Sequence, residues 1–202
     1  MRINYALLKR KYWIFDLDGT LTVAVHDFNS IRNELGIPEG LPIIKTLMSL
    51  PENESIHLRK KLNDIEEKIA SNAIPAPGVK KLIEKLFRLD YKMGILTLNS
   101  RENALFTLNV LGLSKFFKKD LVVGRWCTEP KPSPKGIQKM LQYWGIKPCE
   151  ALMVGDYLYD LQVGRAAKIA TIHVDPTGAF SWPELADFKV KSLAELVKLF
   201  SE

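Results

Sequence analysis

The stretch Trp13-Ile14-Phe15-Asp16-Leu17-Asp18-Gly19-Thr20-Leu21-Thr22 decides how this chain is read, because an apolar run ends there in two carboxylates, a glycine and a threonine. From Tyr12 to Phe15 the apolar residues do not alternate with polar ones, which suits a strand covered on both faces in a parallel sheet. Such sheets place their ligands beyond the carboxyl ends of the strands, and Asp16 and Asp18 fall at that edge. Alone, an Asp-x-Asp-Gly reads equally well as a solvated turn or a helix cap. The remainder of the chain has to decide between these readings.

From Gly78 onward, helix and strand patterns alternate. Residues 79–89 form an amphipathic helix, 91–97 a strand ending in a hydroxyl, and Ser100 caps a helix running to Gly112. Residues 120–124 read as a short strand, Ser133-Pro134 opens a helix that stops at Gly145, and 151–156 is a strand ending in another acid. A helix over about 160–168, strands at 169–174 and 188–190, and a closing helix with a Ser192/Glu195 capping box complete the pattern. This alternation predicts an α/β fold with a doubly wound parallel sheet and right-handed crossovers. Between Val23 and Ile74 nothing reads as a strand. Asp27 caps a helix with Phe28, Ile31 and Leu35 on one face and Gly36 at its end, and 41–48 and 54–70 form two more. The expected organisation is a core of residues 1–22 and 75–202 with a helical insertion over 23–74, closed by Pro75-Ala76-Pro77-Gly78.

Composition limits the function classes. With 202 residues, 47% of them hydrophobic, the chain can bury a sizeable core. No apolar stretch approaches the roughly 20 residues of a membrane span, and residues 1–10 lack the apolar centre of a leader, so a soluble cytoplasmic protein without a membrane partner is expected. Cys127 and Cys149 are too few for a zinc site and read as reduced thiols. The net charge of +6 could steer nucleic acid or small anions. However, the lysines of 79–86 lie on a solvated helix face, and Lys9-Arg10-Lys11 is a compact but short basic cluster with no nucleic-acid motif beside it. Nucleic acid is therefore not the expected partner, and the oligomeric state stays open.

Four polar signals follow expected strands or precede expected helices: Asp16 with Asp18, Thr97, Lys131, and Asp156 with Asp160. Singly, each has a plain structural explanation: a turn, a solvated loop lysine, a helix cap. Together, in this order, they converge on one sheet edge. Asp16-Leu17-Asp18-Gly19-Thr20-Leu21-Thr22, the Thr97 strand end, Lys131-Pro132-Ser133-Pro134 and Gly155-Asp156-Tyr157-Leu158-Tyr159-Asp160 resemble the four motifs of the haloacid dehalogenase superfamily. The insertion resembles the small helical cap of its phosphoglycolate phosphatase and phosphoglucomutase branch. The resemblance implies a Rossmann-like core and a Mg²⁺-dependent phosphatase acting on a small phosphorylated metabolite through an aspartyl phosphate.

Residue chemistry is consistent with those implied roles. Phosphoryl transfer needs an in-line nucleophile, positive charge on the equatorial oxygens and a proton for the leaving oxygen. Asp16 would be the nucleophile and Asp18 the general acid, then the general base for water. Lys131 and Thr97 would hold the phosphoryl oxygens. Mg²⁺ would be bound by Asp16, the Asp18 carbonyl and Asp156, with Asp160 as a further ligand or its support. Two departures from the family pattern concern the substrate: Val23-Ala24 stands where many relatives carry an acid and a serine, and Leu98 separates Thr97 from Asn99. Asn99 and the arginines Arg32 and Arg125 are the candidate substrate contacts, the arginines because a guanidinium binds carboxylate or phosphate bidentately. His26 reads as a linker residue. The alternatives are a phosphotransferase or mutase of the same superfamily and a non-catalytic binding protein on this fold. Retention of every motif acid favours catalysis, and Asp18 disfavours dehalogenation.

Overall fold

The computed structural model describes residues 5–200. The reading of residues 1–10 as free of a leader therefore lies in part outside the described residues. The apolar run forms β1 (Tyr12–Phe15), which lies between β2 (Lys92–Leu96) and β4 (Ala151–Gly155). With β3 (Val122–Val123), β5 (Ala170–Val174) and β6 (Phe188–Val190) they make one six-stranded sheet of order β3-β2-β1-β4-β5-β6, parallel throughout. Phe15 pairs in register with Ile95 on one side and Val154 on the other.

The sheet explains why β1 does not alternate. Trp13 and Phe15 enter a core cluster with α4 (Val79–Arg88), α5 (Arg101–Val110) and α8 (Leu193–Leu199), while Ile14 enters a second with α6 (Lys135–Trp144) and α7 (Leu158–Ala166). Both faces are covered, so every β1 side chain from Trp13 onward is buried. The chain winds outward from β1 to β3 in one direction and from β4 to β6 in the other. The crevice between the β1 and β4 ends is the point where the winding reverses and where such sheets bind ligands.

Between β1 and β2 stand α1 (Phe28–Leu35), α2 (Ile43–Ser49) and α3 (Glu52–Ser71), packed around their own cluster of Ile31, Leu35, Ile37, Leu47 and Leu62. Both ends of this insertion leave the core side by side. Thr22 bridges Pro75, and the Val23 amide donates to the Ile74 carbonyl at 2.9 Å. Asp27 caps α1 as its position predicts, accepting from the Asn29 and Ser30 amides at 3.1 Å, and Gly36 closes it at φ 67°.

Several local expectations are corrected. Phe28 does not face inward: it is 55% exposed and stacks on His26. The strand expected over 120–124 shrinks to two residues because a 3-10 turn takes Lys119–Leu121. Ser192 makes no side-chain cap, and Glu195 accepts instead from the Lys191 amide at 3.0 Å. The basic cluster is partly structural, since Arg10 donates to the Ala151 carbonyl at 2.8 Å and Lys11 lies 4.2 Å above the Tyr91 ring. Among the described residues no helix is long and apolar enough to cross a membrane.

Candidate active site

The four motifs meet at the carboxyl edge of the sheet, around β1 and β4. Asp16 follows β1 directly and is tied to the neighbouring strand by its amide, which donates to the Val154 carbonyl at 2.9 Å. Lys131 reaches in from the loop before α6 and places its ammonium 2.6 Å from Asp16 Oδ1 and 2.5 Å from Asp160 Oδ1. Asp160, in the first turn of α7, also accepts from the Tyr157 amide at 3.1 Å. Asp156 accepts from the Thr20 hydroxyl at 2.9 Å, so the first and fourth motifs are tied to each other directly. Two glycines make room for this crowding. A Cβ on Gly19, whose φ is +88°, would overlap the Asp156 carboxylate, and one on Gly155 would overlap Asp160.

One carboxylate oxygen from each of Asp16, Asp156 and Asp160 lies within 4.8 Å of the others, a group that could hold a metal ion. The donors are hard oxygens, and three negative charges face one lysine, so a small divalent cation fits both their chemistry and the missing charge. Asp18 stands apart from this cluster. Its side chain is 24% exposed, accepts from Asn99 Nδ2 at 3.2 Å, and has His26 Nε2 at 3.9 Å. Thr97 Oγ1 accepts from the Asn99 amide at 3.0 Å, which leaves its hydroxyl proton available for donation.

The model of the haloacid dehalogenase-like hydrolases matches residues 13–174, from the first buried residue of β1 to the end of β5. The chain belongs to that family. An uncharacterized hydrolase of Saccharomyces cerevisiae is 27% identical over 193 residues, covering 92% of this chain and 88% of that protein. The pyrophosphatase PpaX of Oceanobacillus iheyensis is 27% identical over 175 residues, 80% of this chain and 81% of that protein. A solved hydrolase from Pseudomonas syringae shares the fold with a TM-score of 0.76 at 23% identity, over 95% of this chain and 98% of that one.

The electrostatics of this haloacid dehalogenase-like hydrolase follow from burial. Burial pushes the Asp16 carboxyl up to about 7; Lys131 opposes the rise, and Asp156 and Asp18 add to it. Burial and the charge of Asp160 raise Asp156 to about 6, and burial and Asp16 raise Asp160 to about 6. Burial weakens the hold of Lys131 on its proton, but Asp16 and Asp160 outweigh that, so the ammonium lies above the ordinary lysine value. Between the ordinary carboxylate value and these raised ones, the folded protein holds more protons than the unfolded chain, so metal-free stability falls as pH rises through that window. A bound cation would compensate the ionised acids, and its binding displaces their protons. The rise in unfolding temperature on adding saturating Mg²⁺ is accordingly expected to be larger at about pH 7.5 than at about pH 5.5. Thermal unfolding at the two pH values checks this, and an increment that does not change with pH would contradict it.

The expected substrate contacts fare differently in the fold of this hydrolase. Asn99 is in the site, bonded to Asp18. Arg32 lies on α1 with one nitrogen donating to Asn29 Oδ1 at 2.6 Å. Arg125, expected to read the substrate, is 1% exposed, and its NH1 and NH2 are occupied by Glu66, Asn63 and the Leu98 carbonyl at 2.7–3.0 Å. Those donors are committed within the protein. Sequence reasoning missed Glu66, although Leu62, Glu66 and Ala70 recur at four-residue spacing and are all buried on α3. An acid on an otherwise apolar stripe was the available signal. Sequence reasoning also missed the position of His26 beside Asp18, and His173, whose Nε2 lies 3.1 Å from the Asp156 carbonyl.

Proposed function

We propose that this protein is a Mg²⁺-dependent phosphatase that hydrolyses a small phosphate monoester through an aspartyl phosphate on Asp16, with the inserted helices as a cap over the site. The observation that carries the reading is the contrast between two acids two residues apart. Asp16 is buried and held by Lys131, whereas Asp18 is partly open and held by a neutral amide. One is placed as a fixed nucleophile and the other as a proton carrier that can meet the leaving group. Asp16 attacks phosphorus as the bond to the leaving oxygen breaks, and the Asp18 carboxyl gives that oxygen its proton. Asp18 then takes a proton from water as the water oxygen attacks phosphorus and releases Asp16. Lys131 holds one Asp16 oxygen and sets the direction of attack, and Thr97 donates to a phosphoryl oxygen. Asp16, Asp156, Asp160 and the Asp18 carbonyl would hold Mg²⁺, which when bound supplies positive charge against the phosphoryl oxygens. Arg32 remains the cap's candidate anchor for an anionic leaving group, and Arg125 does not share that role.

A turnover panel of phosphate monoesters and pyrophosphate, with Mg²⁺ and with chelator, tests the reading. Pyrophosphate is included because PpaX is named for it. Hydrolysis that requires Mg²⁺ is expected, and hydrolysis that survives exhaustive chelation would contradict the metal assignment. Transfer of the phosphoryl group to a sugar hydroxyl in preference to water would favour a phosphotransferase instead. Asp18→Asn should cost about tenfold more on phenyl phosphate than on 4-nitrophenyl phosphate, whose less basic leaving group needs less protonation. Equal losses on the two esters would remove Asp18 from the proton-donor role.

A further inference from the structure

The hydrogen bonds of Arg125 extend from the inserted helices to Asp18. On one side, its two terminal nitrogens each meet a Glu66 carboxylate oxygen at 2.7 Å, and NH2 also meets Asn63 Oδ1 at 2.7 Å. A two-point guanidinium–carboxylate pair fixes direction as well as distance. On the other side, NH1 donates to the Leu98 carbonyl at 3.0 Å and the Arg125 amide donates to the Asn99 carbonyl at 3.0 Å. The backbone contact is close, since a Cβ on Gly124 would sit 2.5 Å from the Arg101 nitrogen and 2.8 Å from the Asn99 oxygen. The remaining polar groups of Asn99 are also occupied. Its amide donates to Thr97 Oγ1, its Oδ1 accepts from the Ser100 amide at 2.8 Å, and its Nδ2 is thereby turned toward Asp18 Oδ2 at 3.2 Å.

We propose that Arg125 is a positioning residue that ties the seating of α3 to the orientation of Asp18, through the loop of Leu98 and Asn99. The proposal rests on the reading of Asp18 as proton donor. With α3 down, Glu66 and Asn63 fix the guanidinium, the guanidinium fixes the loop, and Asn99 holds the acid where a leaving group would meet it. With α3 lifted, the arginine loses its partners on the helix and the loop loses one of its ties. The polar contacts of this interface are the Arg125 pair, Asn103 Nδ2 on the Asn63 carbonyl at 3.3 Å, and Arg59 4.3 Å above the Trp126 ring, beside the packing of α3 on α5 and of Ala73 on the sheet's apolar cluster. The apolar cluster of the insertion is separate from those of the sheet. A buried ion pair costs about as much desolvation as it returns, so parting it into water carries little net penalty. The two strands of chain at Thr22 and Pro75 supply the hinge.

Glu66→Gln and Arg125→Lys on the full chain test this, with Asp18→Asn and Asn99→Ala alongside, on phenyl phosphate and 4-nitrophenyl phosphate. Glu66→Gln keeps the volume and an acceptor but leaves the buried Arg125 charge uncompensated, so circular dichroism accompanies its kinetics, and Asn63→Ala, which removes one acceptor from Arg125 and keeps the ion pair, is the milder second variant. The positioning variants are expected to reproduce the pattern of Asp18→Asn, losing about tenfold more on phenyl phosphate than on the nitrophenyl ester. Adding Asn99→Ala to Glu66→Gln should cost less than about threefold more, because the residues act in one chain. Amide exchange at Asn99 and Ser100 should quicken in Glu66→Gln. Equal losses on both esters, full additivity, or unchanged exchange would each overturn the proposal. If Asp18→Asn itself shows no dependence on the leaving group, the proton-donor reading has failed, and the exchange data alone decide whether Arg125 holds the loop.

Discussion

Asp16→Asn is expected to lower turnover by at least about a thousandfold while leaving the fold intact. The substitution keeps the shape of the side chain and an oxygen for Lys131, so the geometry around the site survives. It removes the nucleophile, and no other acid can replace it: Asp156 is tied to Thr20, Asp160 shares Lys131 and caps Tyr157, and Asp18 lies on the solvent side. The metal-free variant should be as stable as the parent at neutral pH, or more so. The Asp16 carboxyl is raised to about 7 chiefly by burial, so its ionisation opposes folding above the ordinary carboxylate value, and the neutral amide removes that opposition. Turnover and thermal unfolding on one sample check both halves. Retention of a tenth of the activity would exclude Asp16 as nucleophile.

Lys131→Met carries the second large effect, on activity and on stability together. It leaves Asp16 and Asp160 buried with no cation between them, and breaking a buried pair in this way costs about 3 kcal/mol or more. The loss should depend on pH. With Lys131 gone the acids move still higher, so at about pH 5 they hold their protons and the variant is least impaired, whereas at about pH 7.5 they must ionise or distort the site. Turnover should fall by about a hundredfold or more, since the group that fixes Asp16 and meets the phosphoryl oxygens is missing. Denaturant unfolding at the two pH values checks this, and a small loss independent of pH would contradict the assigned charge balance.

Local features of the sequence were legible because their causes are local. The unbroken apolar run of β1 reports a sheet covered on both faces, and each acid or hydroxyl at a strand end reports the edge where ligands bind. Asp27 and Gly36 were readable as caps for the same reason. What stayed hidden was pairing at long range. Arg125 and Glu66 are 59 residues apart, and Thr20 and Asp156 are 136 apart, with no period to connect them. The spacing of Leu62, Glu66 and Ala70 marks Glu66 as buried but does not name its partner, and Arg125 alone reads as a free arginine near a phosphate site. Phe28 misled in the opposite direction: its spacing with Ile31 and Leu35 is helical, but the first turn of α1 extends past the cluster and meets His26 instead.

The central claim is that Asp16 carries the phosphoryl group between the two half-reactions. The most direct measurement is to quench the enzyme during turnover of 4-nitrophenyl phosphate with Mg²⁺, reduce with borohydride, and map the modified residue by mass spectrometry. An acyl phosphate on Asp16 is reduced to homoserine, so conversion at position 16 that requires both substrate and Mg²⁺ is the predicted result. Product formation with residue 16 unmodified at every quench time, or homoserine at position 18, 156 or 160 instead, would contradict it.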